Sequence, residues 1–306
     1  KHRGPDSAAY YHDEQALLVH TRLSIIDIQG GEQPIHNEDK TIWVSFNGEI
    51  YNYVELREAL LKKVHTFYTH TDTEVIVHLY EEYGENYVHH LNGQFAIALW
   101  DKPNSKALLC RDRVGITPLF YKHTTQSLIF ASEVKAILCE SETAPALNLH
   151  ALDQILTFWA PVSPNTAFEG IFEVKPGEQL IFDLTTHSIT HQPYWDFPYK
   201  TKDTPLIRDE NAASEQVAHL LEDAIKLRLR ADVPVGAYLS GGLDSSILVS
   251  VLKELQHPDL STFSLAFEDA ELDESQHQQK MVKHLGTTHH QALSRYNDIA
   301  THFLDS

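Results

Sequence analysis

The sequence predicts two successive domains of different class, a mixed α+β domain followed by an α/β domain with a parallel sheet. Three observations predict this. The chain has 306 residues, enough for two domains that each bury a core. Its earlier part mixes strand-like and helix-like runs irregularly, whereas its last part alternates strand and helix, the pattern of a parallel sheet. Between them, residues 194–209 are rich in Pro, Lys, Thr and Asp and read as a connector. The expected boundaries are a first domain over 1–195, a linker over 196–209 and a second domain over 210–306.

In chain order, Thr41–Phe46 reads as a strand and Val54–Lys63 as a helix. Thr73–Tyr83 reads as a second helix, with Val75, Ile76, Leu79, Tyr80 and Tyr83 at helical spacing. Strands are expected at Gln94–Trp100, Ala107–Cys110, Pro118–Tyr121 and Leu128–Ala131. Gln179–Leu184 and Ser188–Tyr194 pair naturally around the turn residues Thr185–His187. Glu210–Arg230 carries a helical stripe (Ala213, Val217, Leu220, Leu221, Ala224, Ile225), and strand–helix alternation continues through Ser261–Phe267 and Gln276–Leu285.

Composition excludes several classes. Apolar residues make up 42% and charged residues 22%, the balance of a globular domain. A net charge of −19 argues against nucleic-acid or membrane-surface partners, which need basic patches. No apolar run approaches the roughly 20 residues of a spanning helix, and no signal peptide is visible. Cys110 and Cys139 are too few for a disulfide framework, so a reducing cytoplasm is expected, and both read as buried small hydrophobes. The 20 histidines are scattered, and His89-His90 and His289-His290 match no zinc spacing; no zinc site is expected.

The most informative stretch is Val233–Ser250, VPVGAYLSGGLDSSILVS. A buried-strand pattern gives way to Ser240-Gly241-Gly242-Leu243-Asp244-Ser245-Ser246, then to a helical run. Strand, glycine turn and helix N-terminus make a cradle of N–H groups for phosphate. A Walker loop would carry a Lys for the terminal phosphates. Here three hydroxyls and one carboxylate stand in its place, and Asp244 suits Mg²⁺, which takes oxygen ligands.

This loop resembles the pyrophosphate-binding loop of the ATP pyrophosphatases. The rest of the chain narrows the resemblance to the glutamine-hydrolysing asparagine synthetases: RGPD at 3–6, HTRLSIID at 20–27, FNGEIYN at 46–52, TDTE at 71–74, RDRVGITPLFY at 111–121, FASEVKAIL at 130–138 and LGTTHH at 285–290, all in the family's order. The resemblance implies an N-terminal-nucleophile hydrolase fold for the first domain, a four-layer αββα sandwich. For the second it implies an adenine-nucleotide α-hydrolase fold. It also implies a reaction in two halves. Glutamine gives glutamate and ammonia in the first domain. In the second, ATP and Mg²⁺ convert aspartate to a β-aspartyl-AMP intermediate that ammonia captures as asparagine. Glutamine, aspartate and ATP are the implied small-molecule partners, and a homodimer stays open.

Asn47-Gly48 between apolar stretches is the commonest sequence of a tight β turn. Such a turn would expose the Asn amide and the Gly N–H on one side, two donors suited to an oxyanion hole; the resemblance assigns that task to them. Thr71–Glu74 fits a capping box with Thr71 as N-cap and Glu74 at its fourth position. The resemblance instead sets Asp72 on the glutamine α-ammonium and Arg22, otherwise a solvent-facing strand residue, on its α-carboxylate. It adds Leu23, Ser24, Ile25, Ile26 and Glu49 to the glutamine pocket. Leu239 and Leu265 join residues 240–246 at ATP, the backbone near Leu265 meeting adenine, and Asp244 is the metal ligand. Asp273 and Glu274 read either as an exposed acidic cluster or as part of the ATP-side loop.

Glutamine hydrolysis in the resembled family uses an N-terminal cysteine whose own α-amino group is the base. The chain starts at Lys1, and the family's later Gly-rich acidic segment has no match before Ser306. The expectation is therefore an internal piece of a longer enzyme lacking both ends, or alternatively a dead first domain. Two further alternatives are a β-lactam-synthetase-type enzyme without a working glutaminase and a non-catalytic binding or regulatory homologue.

Overall fold

A computed structural model describes residues 2–140, 145–199, 201, 209–255 and 260–302. The chain divides into two compact units, Lys1–Lys202 and Asp203–Ser306. Of the expected linker, residues 200 and 202–208 lie outside the described residues.

The first unit runs β1 (Ser7–His12), β2 (Leu17–Arg22), β3 (Ile35–His36), β4 (Ile42–Ile50), α1 (Tyr53–Lys62), α2 (Glu74–Tyr83), a 3₁₀ turn (Gly84–His90), β5 (Gly93–Asp101) and β6 (Lys106–Arg111). It continues with β7 (Phe120–His123), β8 (Leu128–Ala131), α3 (Val134–Leu138), α4 (Leu149–Phe158), β9 (Ile171–Glu173), β10 (Glu178–Asp183) and β11 (Ser188–Pro193). Six strands form an antiparallel sheet in the order β11-β10-β6-β5-β4-β3; β8-β7-β9 and β1-β2 form two smaller sheets.

Two cores make this unit a layered sandwich. One face of the large sheet (Val44, Phe46, Ile97, Leu99, Leu108, Ile181) packs on α1 and α2 through Leu60, Val75, Ile76 and Leu79. The other face (Ala96, Ala98, Leu109, Leu180, Phe182) packs on Leu119, Tyr121 and Val174 of the β7 sheet region. The short α3 backs that sheet beside β7 and β8. The order helix, sheet, sheet, helix is the expected αββα. Residues 74–80 of α2 are all buried, which explains an apolar run wider than one helical stripe.

The second unit runs α5 (Glu210–Arg228), β12 (Gly236–Tyr238), α6 (Leu243–Glu254), β13 (Ser261–Phe267), α7 (Ser275–Leu285), β14 (Thr288–Ser294) and α8 (Tyr296–His302). Its three strands are parallel in the order β12-β13-β14, as the alternation predicts. Ile225, Leu239, Val249, Leu252 and Leu260 form its core.

Three local expectations are overturned. Asn47-Gly48 is no turn: it lies inside β4, paired with Ala96 and Phe95 of β5. Gly48 has φ +144, and an added Cβ would sit 2.0 Å from the Gln94 carbonyl oxygen. Close approach of two strands, not chain reversal, demands this glycine. The capping box does not form either. Thr73 is the N-cap of α2 and makes no side-chain cap bond. Glu74 instead reaches back to accept from the N–H groups of Tyr68 at 2.8 Å and Thr69 at 2.7 Å. Finally, Cys110 is buried but Cys139 is exposed at the end of α3.

Candidate functional site

Period-2 alternation in β4 sends Val44 and Phe46 into the helix-side core and Ser45, Asn47 and Glu49 to the opposite face. There the registered neighbours of Ser45 and Asn47 on β5 are only Ala98 and Ala96. Small side chains at the centre of the sandwich leave room. Two cavities result, of about 340 and 380 Å³, and Asn47, His20, Thr21 and Arg3 line both.

The larger cavity is polar. Arg22, Leu23, Ile25, Ile26, Asn47, Gly48, Glu49 and Asp72 all line it, so the structure brings together every residue expected at glutamine except Ser24. The Ser24 backbone N–H is tied to Asp6 at 2.8 Å. Arg22 ends β2 and is buried, not solvent-facing. Its Nη2 donates to the carbonyls of Ile26 at 2.7 Å and Asp27 at 3.0 Å, and its Nη1 reaches the Ile28 carbonyl at 3.4 Å. These bonds fix the guanidinium against the 26–28 loop. They also leave Nη1 weakly held.

Asp72 is 4% exposed and fastens the segment before α2 to the end of β4, accepting the Ile50 N–H at 2.8 Å and the Thr71 hydroxyl at 3.1 Å. Burial pushes its pKa up, against the pull of those bonds. Glu49 is also pushed up, first by burial and then by the charge and hydrogen bond of Asp72, with Arg22 opposing. A buried and a half-buried carboxylate beside the Arg22 guanidinium share a proton when no further cation is close. The Asn47 carboxamide, by contrast, makes no hydrogen bond among the described residues.

The sequence motifs miss the supports of this site. Gln33 clamps β4 with both amide atoms: its Oε1 accepts the Phe46 N–H at 2.7 Å, and its Nε2 donates to the Phe46 carbonyl at 3.0 Å. His20 meets the Ser45 hydroxyl at 3.2 Å, and burial, aided by Arg22, lowers its pKa to about 4, so it is neutral. His20 stands within a quoted motif, yet nothing in its spacing marks it. Neither cysteine lines either cavity. Burial pushes the Cys110 thiol far up, which removes it as a nucleophile.

In the second unit, β12 leads through Leu239, whose N–H donates to Phe263 at 2.8 Å, into the Ser240–Gly242 turn. Gly242 is the N-cap of α6 and Gly241 has φ +85, with an added Cβ only 2.8 Å from the Gln278 nitrogen. Ser240 and Ser245 hydroxyls are 3.0 Å apart, and the Ser240 hydroxyl accepts the Gly242 N–H at 3.3 Å. Leu243 and Asp244 are exposed on the first turn of α6, with Ser246 half-buried beside them. A cavity of about 260 Å³ is lined by Leu239, Ser240 and Leu265 with Tyr238, Phe263 and Gln278. Asp273 caps the turn into α7, accepting the Ser275 hydroxyl at 2.6 Å, while Glu274 lines that cavity.

The first unit is thus a sandwich with a polar cavity lined by two guanidinium groups, of Arg3 and Arg22, and two carboxylates, and the second a parallel α/β unit with a glycine-hydroxyl loop at a helix start. A family model described as glutamine amidotransferase domain matches residues 1–195, and one described as asparagine synthase matches residues 216–305. The chain belongs to the glutamine amidotransferase domain family. It is 41% identical over 267 residues to asparagine synthetase [glutamine-hydrolyzing] 1 of Bacillus subtilis strain 168, covering 87% of this chain and 41% of that protein. Asparagine synthetase [glutamine-hydrolyzing] 3 of the same organism is 35% identical, covering 98% of this chain and 51% of that one. Amidase chry2 of Gibberella zeae is 38% identical, covering 83% and 37%. The chain spans about half the length or less of these relatives. No helix among the described residues is long and apolar enough to cross a membrane.

Proposed function

We propose that the protein is a glutamine-dependent asparagine synthetase acting in the reducing cytoplasm on glutamine, aspartate and ATP. The observation that carries this reading is the larger cavity. It holds an anchored guanidinium, the paired carboxylates of buried Asp72 and half-buried Glu49, and an uncommitted carboxamide within one amino-acid-sized space. A zwitterion needs one cation and one anion. Arg22 faces the glutamine α-carboxylate and Asp72, with Glu49, the α-ammonium; ionising the shared proton completes the charge match. The side-chain amide then lies toward Asn47, whose carboxamide and the Gly48 N–H hold the oxyanion as the carbonyl turns tetrahedral. Similarity to glutamine-hydrolysing asparagine synthetases supports the assignment of glutamine hydrolysis and asparagine synthesis.

In the second unit the Ser240, Ser245 and Ser246 hydroxyls and the N–H groups starting α6 hold the β and γ phosphates of ATP, and Leu239 and Leu265 line the space for adenine. No loop lysine is present to serve γ-phosphoryl transfer, which favours cleavage between the α and β phosphates. The Asp244 side chain is exposed and its carboxylate makes no hydrogen bond among the described residues, an oxygen ligand that fits Mg²⁺ held jointly by protein carboxylate and phosphates. When bound, the ion neutralises the departing pyrophosphate. Full-length protein given ATP, aspartate and ammonia should form AMP and pyrophosphate, scored by chromatography and by a pyrophosphate assay. Asp244→Ala should reduce this to background while glutamine hydrolysis persists. ADP and phosphate as products would overturn the reading.

A further inference from the structure

Four side chains with no part in the proposed reaction meet beside α2. Glu38 lies between β3 and β4, His65 follows α1, and His78 and Glu81 stand one turn apart on α2. Each offers one ligand atom, and these atoms all lie within 4.8 Å of one another. The distances run 2.9 Å from His78 Nδ1 and 3.4 Å from His65 Nδ1 to Glu81 Oε2, and, to the two oxygens of Glu38, 3.6 Å from His78 Nδ1 to Oε2 and 3.9 Å from His65 Nδ1 to Oε1. Bonds of about 2.0–2.1 Å in a tetrahedral site set neighbouring ligand atoms about 3.3–3.4 Å apart. The observed values bracket that spacing.

The outward-facing nitrogens give a second, independent pointer. Both imidazoles turn Nδ1 to the shared point and Nε2 away from it, each toward a carboxylate outside the set. His65 Nε2 is 3.0 Å from Glu82 and His78 Nε2 is 3.6 Å from Glu74. His78 is completely buried, and its Nε2 has no hydrogen-bond partner. A metal-bound imidazole has this arrangement: the second nitrogen keeps its proton and faces a carboxylate that orients the ring. Metal on Nδ1 fixes that tautomer in His78 and gives Glu74 a proton to accept. The charge balance agrees, since Glu38, Glu74, Glu81 and Glu82 surround the pair, with Lys63 paired to Glu82.

We propose that Glu38, His65, His78 and Glu81 form a closed tetrahedral site for a divalent transition metal of the Zn²⁺ type. Two imidazoles favour such a metal over Mg²⁺ or Ca²⁺, and four protein ligands leave no position for a reacting water. The metal would tie the β3–β4 connection and the segment after α1 to α2, holding the helix that follows Asp72.

The test uses full-length protein stripped with chelator, then titrated with Zn²⁺ by calorimetry and with Co²⁺ by visible absorption. One tight equivalent, a tetrahedral Co²⁺ spectrum and a raised Tm are expected. His65→Gln and Glu38→Gln, at the outer side of the cluster with side chains 12% and 39% exposed, should fold by circular dichroism yet bind at least about 100-fold more weakly. Cys139→Ser should bind as the parent does. Absence of a tight equivalent, an octahedral Co²⁺ spectrum, or affinity unchanged by both cluster substitutions would overturn the proposal.

Discussion

The polar groups of the two sites are held in opposite ways. In the first unit they are buried and tied to distant backbone: Arg22 to the 26–28 loop, Asp72 to Ile50, Gln33 to Phe46. In the second unit they are exposed and tied to their own loop, Ser240 to Ser245 and Gly242. Groups fixed before the ligand arrives pay no reorganisation during reaction, which suits charge development at one point. Groups satisfied only by each other can exchange those bonds for phosphate oxygens. The difference teaches where structure and function are separable: cleanly in the α6 loop, poorly in the cavity.

Asn47 is the cavity residue on which this contrast can be broken. Its carboxamide makes no hydrogen bond among the described residues, so that side chain is available as those of the loop are, rather than committed. Asn47→Ala in full-length protein should lower glutaminase kcat by about 10²–10³-fold, as other losses of one oxyanion donor do. Synthesis from added ammonia and Tm should barely change. Equal loss in both activities, measured side by side, would mean that Asn47 serves the strand and not the reaction.

Asp72 sharpens the contrast, because it carries two tasks at once. Asp72→Ala removes an acceptor from a buried N–H as well as a charge, so it should lower Tm and raise the glutamine KM together. Asp72→Asn keeps an oxygen for Ile50 and removes only the charge. Its KM should rise about ten- to a hundredfold, the equivalent of a charged hydrogen bond of ~1.5–3 kcal/mol, with kcat little altered. An unchanged KM with a lowered Tm would reduce Asp72 to a structural tie.

How much of this was legible in the sequence follows from the range of the interactions. Short-range patterns read well: β8 and β13 fall on their expected residues, α2 within one residue, and the SGGLDSS string on a strand–turn–helix. Local motifs with two physical solutions read poorly. Asn-Gly favours a turn, but strand pairing with Ala96 and Phe95 overrode that preference. Thr-x-x-Glu favours a capping box, but Glu74 found better donors in Tyr68 and Thr69. Gln33 and the Glu38–His65–His78–Glu81 group were illegible, since each joins residues far apart in the chain and no spacing encodes them. Cys139 was misread because apolar neighbours on a five-residue helix say little about which side it turns.

The smallest expected effect lies in the Glu49–Asp72 pair. Both acids titrate above their ordinary values, by burial and, for Glu49, by the neighbouring charge. An acid whose folded pKa is raised destabilises the fold when ionised. That cost is absent below its unfolded value and fully present above its folded one. Glu49→Gln should therefore raise Tm by a few degrees in alkaline buffer and leave it unchanged near pH 4. The same proton competes with the substrate ammonium, so the parent glutamine KM should fall as pH rises through the pair's titration, until the substrate ammonium itself deprotonates. Asp72→Asn should flatten that profile, because no second carboxylate remains to hold the shared proton. A Tm gain in Glu49→Gln that is equal at both pH values would show that packing, not the shared proton, sets the energy of this cavity.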